Sequence, residues 1–371
     1  MEDLVTFETL GERSGIGVVR LVREKPLNSL LLETIELLSD RIYTWLEDDS
    51  INCIILDSSS DRAFCAGADI TALYHNIRES DGPSAYADNF FPHEYRLDHA
   101  LHTARKPIVA WGNGIVMGGG LGLLGGCSHR IGTSTTRIAM PEITIGLFPD
   151  AGGTSFLSQL PDGLGYYAGL TGCQLSAADA LGLGLLDVVV DAEAKDEIFA
   201  SLAEPRFSGD ADRDREQVTG VLETFTSNES LVEQLLEHRA IIKEMISACE
   251  SSDDFLATFE DRLEKLPADE WLAGAAATYR SGSPLTARIF VEQMTRARGM
   301  TLEDMFRMEL MIAYRCARGP EFPEGVRALL VDKDRNPQWQ YSSHAEVPQE
   351  IVEEHFRPSW EGAHPLADLG A

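Results

Sequence analysis

Half of the sixteen residues from Trp111 to Gly126 are glycine, in the run Trp-Gly-Asn-Gly-Ile-Val-Met-Gly-Gly-Gly-Leu-Gly-Leu-Leu-Gly-Gly. A segment with so few Cβ atoms is suited to turns and to close approach of one backbone to another, or to a ligand. It follows an apolar strand candidate at 108–110. A helix opening near Gly119 would leave its first N–H groups without intrahelical acceptors, ready to receive negative charge. Gly120-Leu-Gly-Leu-Leu-Gly125 also matches the letter of the dinucleotide fingerprint. That fingerprint opens a helix directly after a strand, whereas here a glycine turn intervenes, and no acidic residue stands at a strand end downstream. Nucleotide binding by this element is therefore not expected.

Around this segment the first part of the chain alternates between short apolar runs and amphipathic stretches. The runs at 5–10, 16–22, 52–59, 106–113, 129–134 and 186–190 predict strands, and 30–46, 85–103 and 118–126 predict helices. Strands alternating with helices point to an α/β layer architecture with crossover connections. After residue 190 the pattern turns helical, with apolar spacing over 230–250 and 254–265. Thr301-Leu-Glu-Asp304 and Ser176-Ala-Ala-Asp179 have the spacing of helix-starting capping boxes, the first opening a helix that runs to Ala317. The acidic stretch 207–216 predicts a linker or mobile loop, and the proline-containing tail after Tyr341 a loosely packed wrap. The expected division is a core domain over 1–190 and a helical region over 191–371.

Charge and cysteine narrow the partners. Thirty-one basic against sixty acidic residues leave a net charge of −29, which repels nucleic acid and anionic membranes, so neither is an expected partner. No apolar run is long enough to span a bilayer, and the opening MEDLVTFETL lacks the pattern of an export or organelle signal. The six cysteines form no CxxC pair, and most sit in apolar runs. Buried free thiols in a reducing cytoplasm are expected, with no disulfide framework and no zinc site. His99-x-x-His102 lacks the context of a metal site, and there is neither a G-x-S-x-G elbow nor a phosphate-binding loop.

Two further elements carry candidate chemistry. Phe64-Cys-Ala-Gly-Ala-Asp-Ile70 is a second glycine turn after a strand candidate. Two such turns converging on one oxygen would form an oxyanion hole, in which fixed N–H donors meet the charge that develops on an acyl oxygen. Each could equally be a tight turn and nothing more. Glu142 and Asp150 are the carboxylates of a strongly apolar, glycine-rich stretch, Met140-Pro-Glu-Ile-Thr-Ile-Gly-Leu-Phe-Pro-Asp-Ala-Gly-Gly153. Two partly desolvated carboxylates facing one cavity can divide the work of nucleophile or base from that of acid or water-positioner. In the alternative, Asp150 caps a helix starting near Gly152 and Glu142 is a solvated loop residue.

Those three elements, in this order and spacing, resemble the crotonase (enoyl-CoA hydratase/isomerase) superfamily. Its recurrent landmarks stand at Arg62–Ile70, Gly118–Gly120 and Met140–Gly146. The resemblance extends to 3-hydroxyisobutyryl-CoA hydrolases through His93-Glu-Tyr95, Gly146–Gly153, Leu164–Gly172, Ser283–Thr286, Thr301-Leu302, Met308-Glu309, Arg318–Asp334 and Pro337-Gln-Trp339. It implies a crotonase-like ββα spiral core with an extended helical C-terminal region. It also implies the oxyanion donors Ala68 N–H and Gly119 N–H, coenzyme A contacts along Ala66, Gly67, Ala68, Asp69 and Ile70, and Lys25 near the CoA phosphates. A hydratase of this superfamily carries a second glutamate where this chain has Gly122, so the pair for adding water across a double bond is incomplete. Asn113 replaces a histidine common in the family.

The resemblance thus implies hydrolysis of a short β-hydroxyacyl-CoA, 3-hydroxyisobutyryl-CoA of valine breakdown above all. The alternatives are an enoyl-CoA hydratase or isomerase, since a dienoyl-CoA isomerase branch shares the Glu142–Asp150 spacing, and a non-catalytic CoA-binding protein. Glu142 would attack the thioester carbon or activate water, Asp150 would orient the substrate hydroxyl or the water, and Glu94 would bind the acyl hydroxyl. No metal or resident cofactor is called for, coenzyme A being part of the substrate. Crotonase relatives are often trimers or hexamers, so a homo-oligomer fits. The long helical region offers another arrangement, folding back on its own subunit.

Overall fold

A computed structural model describes residues 4–11, 15–204 and 207–371. Its ten strands are β1 (Val5–Leu10), β2 (Ile16–Leu21), β3 (Cys53–Ser58), β4 (Ala63–Cys65), β5 (Ile108–Gly112), β6 (Ile115–Met117), β7 (His129–Thr133), β8 (Arg137–Ala139), β9 (Leu175–Ser176) and β10 (Val188–Val190), among the described residues. Two compact units share the chain, and neither is contiguous.

The first unit comprises Met1–Ala68, Leu97–Ile138 and Leu175–Gln234. All six strand candidates read from the sequence enter one sheet, in the order β1-β2-β3-β5-β7-β10. β1 and β2 are antiparallel, and every later pair is parallel. Side chains alternate across a strand, so Ile16 and Val18, Cys53 and Ile55, Val109 and Trp111, and Val188 and Val190 share one face. There they pack on Ile198, Phe199 and Leu202 of the helix Lys195–Ala203 and on Val218 and Leu222 of the helix Ala211–Glu223. Val19, Leu21 and Leu56 of the other face meet Leu38 and Ile42 of the helix Leu32–Glu47, with Phe64 of β4 and Leu123. A smaller sheet follows the order β4-β6-β8-β9. Its strands are only two or three residues long, too short to carry a period, and β4 and β6 also lie beside glycine.

The second unit comprises Asp69–Arg96, Ala139–Gln174 and Leu235–Ala371 and is helical. The expected limit at residue 190 is a change of composition and not the edge of a unit. Helices after Leu235 pack on segments from the front half of the chain: Pro284–Arg296 on Gly153–Gln159 and Leu164–Thr171, and Glu321–Val326 on the 3-10 turn Glu142–Ile145. At Gly146, which has φ +66°, a Cβ would stand 2.6 Å from the Glu321 carbonyl, so only glycine lets the two backbones meet. The long helical region therefore folds back on its own chain.

Three local expectations need correction. The acidic stretch 207–216 is largely helix from Ala211, because the buried Asp214 carboxylate accepts from Ser208 N, Ser208 Oγ and Gly209 N and Asp210 caps the helix through Arg213 N. The stretch 230–250 becomes helical only at Arg239. The tail after Tyr341 contains the helix Gln349–His355 and buries Val352, Phe356, Leu366 and Leu369, so it is packed structure and not a loose wrap.

Candidate active site

In the first unit β4 and β6 run parallel, Ala63 opposite Ile115 and Cys65 opposite Val116. Parallel strands deliver their carboxyl ends side by side, where ligands of α/β sheets bind. Ala66-Gly67-Ala68 and Gly118-Gly119 therefore emerge together. Gly67 has φ +88°, and a Cβ there would lie 2.8 Å from Met117 O and 3.2 Å from Gly119 N. The two glycine turns thus converge, and a side chain at 67 would fill the space between them.

Most amides at this junction are already engaged. Ala66 N–H donates to Leu27 O at 3.0 Å, Gly67 N–H to Cys65 Sγ at 3.4 Å, and Leu30 N–H to Gly67 O at 2.8 Å. Ala68 N–H and Gly119 N–H have no acceptor among the described residues. Gly119 opens the helix Gly119–Gly125, so its amide is one of the orphans every helix start carries. Asn113 is buried and donates through Nδ2 to Ser60 O at 2.8 Å. Lys25 is exposed.

In the second unit, the Asp69 carboxylate accepts from Ala72 N at 3.0 Å and caps the helix Ile70–Glu79. Its side chain has a structural task, and Ile70 is the first residue of that helix. Glu142 lies in the 3-10 turn, 5% exposed, and its Oε2 has no hydrogen-bond partner among the described residues. Burial first, and the nearby Asp150 charge second, hold its carboxyl well above the usual carboxylate range. Asp150 accepts from Tyr95 Oη at 2.7 Å. Burial raises its pKa, and the Tyr95 bond offsets part of that rise. Glu94 is buried on the helix Ala85–Thr103; burial above all keeps the Tyr95 phenol neutral, with the Asp150 and Glu309 charges next and that of Glu94 last.

Both readings of Asp150 and Glu142 as ordinary loop residues fail here. Glu142 is not solvated, and Asp150 is not the helix cap. The amides at the start of Gly153–Gln159 are met by Glu309, which accepts from Gly152 N at 3.0 Å and Thr154 N at 2.9 Å. The structure brings Glu94, Glu142 and Asp150 into one unit and Ala66, Gly67, Ala68 and Gly119 into the other. Tyr95 and Glu309 were missed as site residues. For Glu309 a signal existed, a carboxylate on the apolar stripe Met305, Met308 and Ile312 of its helix. Among the described residues no group of His, Cys, Asp and Glu suits a metal ion.

A profile of the enoyl-CoA hydratase/isomerase family matches residues 16–356. The chain belongs to that family. Within it, the human mitochondrial 3-hydroxyisobutyryl-CoA hydrolase (Homo sapiens) is 34% identical over 94% of this chain and 88% of its own. The protein of the same name from Gallus gallus is 32% identical over the same shares, 94% and 88%. Among solved structures, a carnitinyl-CoA dehydratase from Mycobacterium thermoresistibile matches with a TM-score of 0.84 at 33% identity, covering 96% of this chain and 97% of its own. The α/β fold with a helical C-terminal extension is thus that of enoyl-CoA hydratase/isomerase relatives of similar length. Among the described residues no helix is long and apolar enough to cross a membrane.

Proposed function

We propose that this chain is an acyl-CoA thioester hydrolase that converts 3-hydroxyisobutyryl-CoA and water into 3-hydroxyisobutyrate and coenzyme A, a step of valine breakdown. The observation that carries the reading is Glu142, a buried carboxylate with one unpartnered oxygen, beside an Asp150 held by Tyr95. The names of relatives at 32% and 34% identity over nearly the whole chain support it.

In this reaction Ala68 N–H and Gly119 N–H donate to the thioester carbonyl oxygen and stabilise the negative charge that forms there. Glu142 works at the carbonyl carbon. Its raised proton affinity suits it to take the proton of an attacking water; direct attack would give an acyl anhydride that water then opens. Either way the carbon–sulfur bond breaks, sulfur leaves as thiolate, and the proton taken from water returns to it. Asp150 orients the water or the substrate hydroxyl, and Glu94 binds the acyl hydroxyl. Lys25 and the main chain at Ala66–Ile70 contact coenzyme A, with Asp69 contributing backbone only. No resident metal or cofactor is part of the reading. Six buried free cysteines favour a reducing compartment, the cytoplasm in this proposal, although several relatives are named as mitochondrial. Neither nucleic acid nor membrane is a proposed partner, and light scattering checks a trimer or hexamer.

The solved relative titled a carnitinyl-CoA dehydratase favours a second reading, water addition to or removal from an acyl-CoA. Gly122 at the position of the second hydratase glutamate speaks against it. An isomerase belongs with that second reading, since it too changes a double bond with CoA still attached, and a non-catalytic CoA-binding protein would bind without turnover. Thiol release over a panel of acyl-CoAs separates the three. The hydrolase releases thiol from 3-hydroxyisobutyryl-CoA. Consumption of enoyl-CoA with no thiol released overturns the assignment.

A further inference from the structure

The turn that presents Asp150 is an unfavourable piece of backbone. Ala151 has φ +51° and Gly152 has φ +83°, two successive left-handed residues, the first of them bearing a Cβ. Such a turn persists only where its surroundings over-determine it. Two buried side chains supply that constraint, and both come from the C-terminal helices. Gln293, in Pro284–Arg296, donates through Nε2 to Pro149 O at 2.8 Å and to Thr154 Oγ1 at 2.7 Å. Glu309, in Leu302–Arg318, accepts from Gly152 N and Thr154 N with one carboxylate oxygen each. Together they hold the residue before Asp150 and the amide two residues after it. Both are fully buried, at 0% exposure.

Capping alone would not require this arrangement. A short helix start is satisfied by a Ser or Asp at its own N-cap, at no cost in buried charge. A carboxylate reaching from 157 residues away into an apolar interior is an expensive substitute. Its expense is visible in the Glu309 carboxyl, pushed up to about 8 by burial, with the Asp150 charge adding to the rise. What the long-range clamp does, and a local cap would not, is fix the carbonyl and the amide on either side of Asp150 relative to Tyr95 and Glu142.

We propose that Glu309 and Gln293 are positioning residues for thioester hydrolysis: they lock the Pro149–Gly152 turn so that the Asp150 carboxylate stays on the Tyr95 hydroxyl beside Glu142. This rests on the hydrolase reading of Asp150. Neither side chain touches the reacting atoms; both act through the turn.

The test uses the full-length chain and begins with the unaltered protein. Absence of thiol release from every acyl-CoA tried overturns the hydrolase reading itself. With activity established, Glu309→Gln, Glu309→Ala and Gln293→Met are compared at a temperature well below their melting points. Expected is a fall in kcat of at least tenfold with KM changed less than twofold. Glu309→Gln, which keeps one acceptor oxygen, should recover part of what Glu309→Ala loses. Phe199→Leu, buried in the helix Lys195–Ala203 of the other unit, serves as a control of comparable stability loss and keeps its kcat. Should Glu309→Ala not fold, Glu309→Gln and the volume-conserving Gln293→Met carry the comparison. Variants that melt earlier but retain the kcat of the unaltered chain overturn the proposal, since a purely structural clamp predicts that result.

Discussion

The two units contribute different kinds of chemistry, and they secure it by different means. In the first, the candidate donors are main-chain amides fixed by the ends of two parallel strands and by a glycine that keeps the space between them open. No side chain is needed, and everything lies within about fifty residues of sequence, from Ala68 to Gly119. In the second, the candidate groups are carboxylates, and the position of one of them, Asp150 on its short turn, depends on tyrosine, glutamate and glutamine side chains from other helices. Donors that belong to the backbone come with the topology. Carboxylates in a dry interior must be held by partners, or they turn away or take up a proton.

The comparison can be broken most directly at Glu142. Glu142→Gln removes the proposed base or nucleophile while keeping the shape, and thiol release should fall by roughly 10²–10⁴-fold, the range general acid–base groups contribute, with acyl-CoA binding retained by calorimetry. Retained turnover would leave the side-chain half with no catalytic role. Gly67→Ala attacks the other half. A methyl group 2.8 Å from Met117 O and 3.2 Å from Gly119 N must force the turns apart, and losing one donor typically costs about 10²–10³-fold in kcat. A Gly67→Ala protein of normal kcat would show that the convergence of the turns is incidental. Tyr95→Phe sharpens the contrast. It leaves an Asp150 oxygen unpartnered, which should cost about 1–3 kcal/mol of stability in thermal unfolding and lower kcat, with the main-chain donors untouched.

The smallest effect expected is a displacement in pH. A base works once its proton has gone, so kcat should fall as pH drops through the Glu142 pKa, which lies well above the usual carboxylate value. The Asp150 charge contributes to that elevation. Asp150→Asn removes it, lowers the Glu142 pKa, and should move the acid limb of the residual activity toward lower pH. A limb that stays in place would mean that the two carboxylates do not interact. The same elevation has a sign for stability. A carboxyl whose folded pKa is raised favours the folded state when protonated and loses that contribution as pH rises through the folded value. Glu142→Gln should therefore gain stability over the unaltered chain on the alkaline side, and the gain should shrink on acidification.

What the sequence made legible follows the same divide. The six strands of the larger sheet are apolar runs of three to six residues bounded by turns, and each was readable. Gly67, Gly119, Glu142 and Asp150 stood out because glycine clusters and isolated carboxylates contrast with apolar neighbours. The strands β4 and β6, which bring the glycine turns together, were not readable, since three residues beside glycine carry no period. The Asp150 turn was ambiguous for a different reason. Whether an aspartate ahead of a helix caps it depends on which other group reaches the free amides, and here that group is Glu309, remote in sequence. Local pattern also misjudged 207–216, where Asp214 organises an acidic segment by binding amides that sequence alone leaves as solvated. The limit at residue 190 misled because composition records secondary structure, whereas the units follow packing between distant segments.

The interleaving of the second unit has a consequence for the order in which the protein comes into being. A ribosome that has released residues up to about 230 has already exposed every strand of the larger sheet, both glycine turns and the Glu142 and Asp150 turns themselves. The helices bearing Gln293 and Glu309 are still to be made. The nascent chain therefore acquires its sheet long before the Asp150 turn acquires its supports, and on the proposed reading chemical competence arrives only with the final third of translation.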